Sequence, residues 1–294
     1  MKEFDKRFGK ELIASIPGEP GVYRFYAESR LVYVGKAKNL RRRLSQYRNA
    51  KRCKAQIKMR KILLSSTRLE FETCASETHA EVLENRLIQA HRPKWNVAGA
   101  FFFLYPLIGL RIEGDSAYFC YTTQPDAFPG FRFHGAFRSR DWSKEGFFAF
   151  ITLLRFIGHS IPRKQLEKDG IVPRTKARGF VYGFRRMPES WLGHVDPFFI
   201  GDSFHAVEEL SLLLLDRPDA IRGRVEVEES LKAIRGFWRH EIQQLKRARE
   251  RAGWKDYPVA QKERDLVFIA SRSKVEIRTL LPSSRSPSTE SPTP

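Results

Sequence analysis

Residues 20–47 read PGVYRFYAESRLVYVGKAKNLRRRLSQY, and this stretch decides the fold of the N-terminal third. Gly21–Ala27 and residues 31–36 are rich in aromatic and β-branched side chains, which suit strands. The short polar link Glu28-Ser29-Arg30 between them predicts a hairpin. Tyr23 and Tyr33 then fall on one face of it, because side chains alternate with period two. Gly35 leaves room for backbone or substrate to come close. Asn39 predicts a cap on a helix starting at Leu40, in which Leu40, Leu44 and Tyr47 share a face and Arg41, Arg42 and Arg43 follow Lys36 and Lys38.

Further along, residues 54–64 predict a basic helix. Arg68–Thr73 (RLEFET) alternates like a third strand. Ser76-Glu77-Thr78 opens another helix, in which Ala80, Leu83, Leu87 and Ile88 can face the core. Glu84 lies on that helix and Asn96 in the His-Arg-Pro-Lys-Trp-Asn-Val segment after it. Beyond residue 100 the pattern predicts aromatic strands over 101–137, a buried helix over 146–158 and helices over 204–215 and 225–251. Residues 266–281 fit strand or helix, and the Ser/Pro-rich end from 283 to 294 predicts a disordered tail.

Charge narrows the partner. The 294 residues carry 53 Lys and Arg against 34 Asp and Glu, a net charge of +19. Residues 29–69 contain 14 bases and no acid, so like charges repel there unless a polyanion screens them. Composition alone leaves nucleic acid and an anionic membrane surface open. The longest apolar run, residues 100–110, is too short to span a bilayer, and the N-terminus has no apolar core of a secretory signal. Cys53, Cys74 and Cys120 are odd in number and far apart, which predicts free thiols in a reducing cytoplasm and no zinc site.

The set Pro20-Gly21-Val22-Tyr23, residues 32–40 (VYVGKAKNL), Arg43-Leu44, Tyr47, Ser76-Glu77-Thr78, Ala80, Glu84, Leu87-Ile88 and residues 92–97 (RPKWNV) resembles the GIY-YIG nuclease domain. The resemblance, over residues 14–97, is to the N-terminal nuclease of the UvrC excinuclease family and its short relative Cho. It implies an α/β (α+β) fold with a small mixed sheet flanked by helices, then a mixed, largely helical region over 101–282. It also implies cleavage of a DNA phosphodiester with one divalent ion, Mg²⁺ or Mn²⁺.

By position, the resemblance makes Glu84 the metal-binding carboxylate and Tyr33 the group that deprotonates water, aided by Lys36. Tyr23 would orient water or phosphate, and Arg43 would stabilise the transition state. Gly35, Lys38, Arg41, Arg42, Tyr47 and Asn96 would contact substrate or support the site, Asn96 structurally. Phosphodiester hydrolysis does need a hydroxide, a Lewis acid and cationic stabilisation. A phenol is a poor base at neutral pH unless a nearby ammonium or metal-bound water favours its phenolate.

After residue 100, Tyr105-Pro106, the His134-Gly135-Ala136-Phe137 step and Phe199-Ile200-Gly201 echo the same family. The cysteine cluster of many UvrC relatives is missing, so no iron–sulfur cluster is expected. The helix over 225–251 lies near the place of the UvrB-binding hairpin but matches it poorly. The expected partners are DNA and UvrA/UvrB-type damage-recognition proteins, with no membrane. Two further readings stay open: a GIY-YIG nuclease outside excision repair, and a nucleic-acid-binding protein with an inactive nuclease site. Intact Tyr23, Tyr33, Arg43 and Glu84 argue against the last, because binding alone needs only charge.

Overall fold

The computed structural model describes residues 1–97, 99–173, 177–275 and 277–280. Its chain divides into two compact units. The first holds the described residues of 1–100, with 251–254 and those from 266 onward; the second holds those of 101–250 and 255–265.

In the first unit, α1 (Glu3–Phe8) and α2 (Leu12–Ser15) precede the hairpin of β1 (Gly21–Ala27) and β2 (Arg30–Ala37). Then come α3 (Leu40–Arg48), α4 (Ile57–Leu64) after a short 3₁₀ turn, β3 (Arg68–Thr73) and α5 (Glu77–His91). The side chains of Asn39 and Ser76 cap α3 and α5 by accepting the amides of Arg42 and His79. The sheet order is β2-β1-β3. Both ladders are antiparallel, so within the expected α/β class the sheet is not mixed. The connections explain this: β1 and β2 are joined by a tight turn, and β3 returns against β1.

Period two splits the sheet into two faces. Tyr23 and Phe25 join Leu40, Leu44, Tyr47, Ile62 and Leu63 in one core, under α3 and α4. Val22 and Val34 join Ala80 and Ile88 in the other, under α5. A bidentate ion pair ties α1 to α3: Arg48 Nε and Nη2 donate to the Asp5 carboxylate at 2.6 and 2.9 Å.

The second unit contains an antiparallel sheet of order β6-β4-β5-β8-β7: β4 (Leu107–Glu113), β5 (Ser116–Thr122), β6 (Arg132–Gly135), β7 (His159–Ser160) and β8 (Gly179–Arg185). The expected buried helix is α6 (Arg140–Ile157), longer at its start because Ser139 caps it. It is followed by α7 (Arg163–Lys168), α8 (Glu189–Ile200), α9 (His205–Leu215), α10 (Pro218–Arg222) and α11 (Arg224–Phe237). The long helix expected over 225–251 is α11, a π-helical turn over Trp238–Ile242 and α12 (Gln243–Ala252). The ambiguous segment is helical, as α13 (Arg264–Ser273) and α14 (Ile277–Leu280); its buried Leu266, Val267, Ile269 and Ala270 follow helical spacing.

Sequence reading left β8 and α8 unassigned: glycines interrupt the strand, and Pro197 sits inside the helix. The expected tail over 283–294 lies outside the described residues. No described helix is long and apolar enough to cross a membrane.

Candidate active site

The hairpin register builds the site. Tyr23 pairs with Gly35 and Phe25 with Tyr33, so Tyr23 and Tyr33 share a face as diagonal neighbours. Their ring centroids are 6.1 Å apart. A Cβ on Gly35 would lie 2.4 Å from Tyr23 Cζ. Gly35 therefore makes room for the Tyr23 ring, where the sequence suggested room for backbone or substrate.

From α3, Tyr47 brings its hydroxyl to 3.4 Å from that of Tyr23. Arg43 Nε donates to the Tyr23 hydroxyl at 3.1 Å, and its Nη1 donates to Gln46 Oε1. Tyr23 and Tyr47 are 0% and 1% exposed, whereas Tyr33 is only partly buried. Of the three phenols, Tyr33 alone reaches solvent. Tyr23 was expected to orient water or phosphate and Tyr47 to contact substrate or support the site; both are buried, Tyr23 against Arg43, Tyr47 and Tyr33.

A second set of groups closes the free edge of β2. The outward backbone groups of alternate residues there need partners. Trp95 N–H donates to the Val32 carbonyl. Asn96 clamps Val34 from both sides: its Oδ1 accepts the Val34 amide at 2.9 Å and its Nδ2 donates to the Val34 carbonyl at 2.8 Å. The expected structural role of Asn96 has this geometry. Glu84 Oε1, from α5, accepts the Lys36 amide at 3.1 Å.

Electrostatics follow from this packing. Burial pushes the Glu84 carboxyl above its ordinary range, against the Lys36 amide, the Lys36 charge and Arg43. Burial likewise pushes the Tyr33 hydroxyl far above the ordinary tyrosine range, and the neighbouring Tyr23 and Glu84 push it further. Lys36 was expected to aid Tyr33. Lys36 Nζ instead pairs with Glu81 Oε2 at 2.8 Å, and Glu81 Oε1 also accepts from Arg272 at 2.8 Å. Glu81, which the sequence reading left without a role, decides where the Lys36 charge goes.

The donor set fits one hard divalent ion. Among the described residues no three His, Cys, Asp or Glu side chains gather at one point. Glu84 nevertheless offers an oxygen, Oε2, with no protein partner among the described residues. A lone carboxylate suits Mg²⁺, which keeps most of its shell as water and phosphate oxygen. A cation there would offset the burial cost of Glu84 and reverse the sign of the field at Tyr33.

The remaining site residues divide. Lys38 and Arg42 are exposed, as a phosphate contact requires. Arg41 instead donates from Nε to the Ile16 carbonyl at 2.6 Å and ties α3 to the segment before β1. One neighbour was missed altogether: Lys58 of α4 holds its ammonium 5.6 Å from the centroid of the Tyr33 ring. The acid-free run that contains it was the only available signal.

Residues 19–97 match the family model of the UvrC-like GIY-YIG domain. In the curated relatives it is matched by UvrABC system protein C of Cytophaga hutchinsonii, 41% identical over 102 residues, which is 34% of this chain and 17% of that protein. The same protein of Aquifex aeolicus is 40% identical over 99 residues, again 34% and 17%. A solved structure, the GIY-YIG N-terminal endonuclease domain of UvrC from Thermotoga maritima bound to its catalytic divalent cation, magnesium, is 35% identical; the match covers 33% of this chain and 99% of that one, with a TM-score of 0.28. The aligned segment thus spans about a sixth of the length of these two curated relatives, each covered to 17%.

Proposed function

We propose that the chain is a divalent-metal-dependent DNA endonuclease whose domain over 14–97 hydrolyses a phosphodiester bond and makes a single incision in nucleotide excision repair. One observation carries this reading. A solvent-reaching tyrosine, a cluster of buried phenols tied to Arg43, and a half-buried carboxylate with a free oxygen converge on one end of the hairpin.

Glu84 would hold Mg²⁺ or Mn²⁺, as the magnesium in the Thermotoga maritima domain suggests. When bound, the ion supplies Lewis acidity at the phosphate. Tyr33, once its own proton has passed to solvent, would take the proton of the attacking water as a phenolate. Burial, Tyr23 and the Glu84 charge disfavour the phenolate, so this role needs positive charge brought beside it. Arg43 adds positive charge beside the phosphate and holds Tyr23 in place. Asn96 keeps β2, and with it Tyr33, at a fixed depth. The partners would be DNA and UvrA/UvrB-type proteins, as the name of the relatives, UvrABC system protein C, suggests; the UvrC/Cho-like region over 101–282 is assigned no role.

The test is nicking of a duplex with one bulky lesion, with Mg²⁺ or Mn²⁺, with and without UvrA and UvrB, beside Glu84→Gln. A single UvrAB-dependent nick lost in the variant supports the whole reading. Glu84-dependent nicking indifferent to lesion and UvrAB keeps the chemistry and rejects the pathway. Cleavage by Glu84→Gln at the parent rate rejects the metal role, and DNA binding without cleavage by the parent rejects the enzyme.

A further inference from the structure

Of the 14 bases in the acid-free run, six are engaged through their side chains, and the other eight, Lys38, Arg42 and Arg52 among them, have no side-chain ion-pair or hydrogen-bond partner among the described residues. Lys36, Arg41, Arg43, Arg48, Arg60 and Arg68 are engaged, with Glu81, the Ile16 carbonyl, Tyr23, Asp5, the Ala50 carbonyl and Glu70 respectively. Lys54, Lys58 and Lys61 have no ion-pair or side-chain hydrogen-bond partner among the described residues, and all three are exposed. Their spacing of four and three residues places them along one stripe of α4 and the turn before it.

The face of α4 bordering this stripe is anchored. Ile62 and Leu63 are buried in the same core as Tyr23 and Tyr47, so the helix is held against the site. Lys58 is the member of the stripe that reaches the site, 5.6 Å from the Tyr33 ring centroid. An exposed ammonium over a phenol ring is held only weakly, and a phosphate oxygen is the stronger partner. Lys36, the cation expected there, is held by Glu81.

We propose that Lys58 is a substrate-phosphate contact of the Tyr33 site, and that α4 carries the adjoining strand of a nucleic acid along Lys54, Lys58 and Lys61. The proposal rests on the nuclease reading for its substrate and adds the element that receives it. What sets Lys58 apart from the other exposed, unpartnered bases of the run is its position beside the Tyr33 ring.

The experiment uses the full chain. Affinity for a labelled DNA duplex is measured across a salt series without divalent ions, and single-turnover nicking of a lesion-bearing duplex is measured with Mg²⁺ or Mn²⁺, with and without UvrA and UvrB. The variants are Lys58→Gln, Lys58→Arg and, as a control at the far end of the hairpin, Arg30→Gln. For Lys58→Gln, binding falls about threefold to tenfold and the slope of log affinity against log salt drops by about one. Lys58→Arg recovers both, and Arg30→Gln stays at the parent slope. A Lys58→Gln protein with parent affinity, slope and nicking, where the parent cuts, overturns the proposal and leaves the nuclease reading standing. Lys58-dependent binding by a parent that never cuts rejects the nuclease reading and supports the phosphate contact. A parent that neither binds nor cuts DNA overturns both.

Discussion

Gly35 lies directly opposite Tyr23 in the β1–β2 ladder, and the Tyr23 ring fills the space that a side chain at position 35 would need. Tyr23 in turn holds Arg43 and abuts Tyr47 and Tyr33. The smallest residue in the strand therefore sets the position of the largest group in the site.

Gly35→Ala should displace the Tyr23 ring, because the added carbon has no room. Overpacking of this kind costs about 1–3 kcal/mol. The movement should also slow nicking by up to about 100-fold, the scale for a misplacement near 1 Å. Denaturant unfolding and single-turnover nicking check the two effects. An alanine variant with parent stability and rate would show that the strand relaxes freely here.

Asn96→Ala removes both hydrogen bonds to Val34. The expected loss is about 1–3 kcal/mol, since the Val34 groups lose their partner in a partly buried setting. Amide hydrogen exchange should speed up at the outer edge of β2 and stay unchanged in β1. Uniform acceleration across the sheet would point to global destabilisation instead.

Glu84 accepts the Lys36 amide and is proposed to hold the metal, two roles that substitutions can separate. Glu84→Gln keeps an oxygen to accept the Lys36 amide, so the edge of β2 should retain its exchange protection while metal-dependent nicking is lost. Glu84→Ala should lose both. Equal exchange at Lys36 in the two variants would remove Glu84 from the support of the strand.

The Asp5–Arg48 pair predicts an acid limb of stability. The Arg48 fork beside Asp5 holds its carboxyl below the usual carboxylate range. The folded value being the lower one, the unfolded state binds more protons. The contribution is present above the unfolded value of about 3.9 and fades as pH falls through the depressed folded value. Denaturant titrations from neutral to acid pH should fall less steeply below about pH 4 for Asp5→Asn than for the parent. Identical slopes would mean that the pair contributes nothing in solution.

The cysteines should react in order of access. Cys53 is exposed, whereas Cys120 is buried and its thiol is pushed far up by burial. Alkylation followed by mass spectrometry should label Cys53 first and Cys120 only on unfolding. Early labelling of Cys120 would contradict its place between the strands of the second sheet.

Much of the first unit was legible in the residues, because the signals are local. The alternation around Tyr23 and Tyr33, the Leu40-Leu44-Tyr47 face and the caps at Asn39 and Ser76 each depend on spacing within a few residues. The choice of partners was not legible. Glu81 and Glu84 lie three residues apart on α5, and spacing alone does not say which meets the Lys36 ammonium and which its amide. That choice follows from how α5 seats Ala80 and Ile88 against Val22 and Val34, a contact between segments far apart in sequence. The same holds for Lys58, one base among many until the packing of Ile62 and Leu63 brings α4 beside Tyr33. Periodicity is a property of a short segment, whereas the pairing of charges requires the distances between segments, and those arise only when the two faces of the sheet are buried.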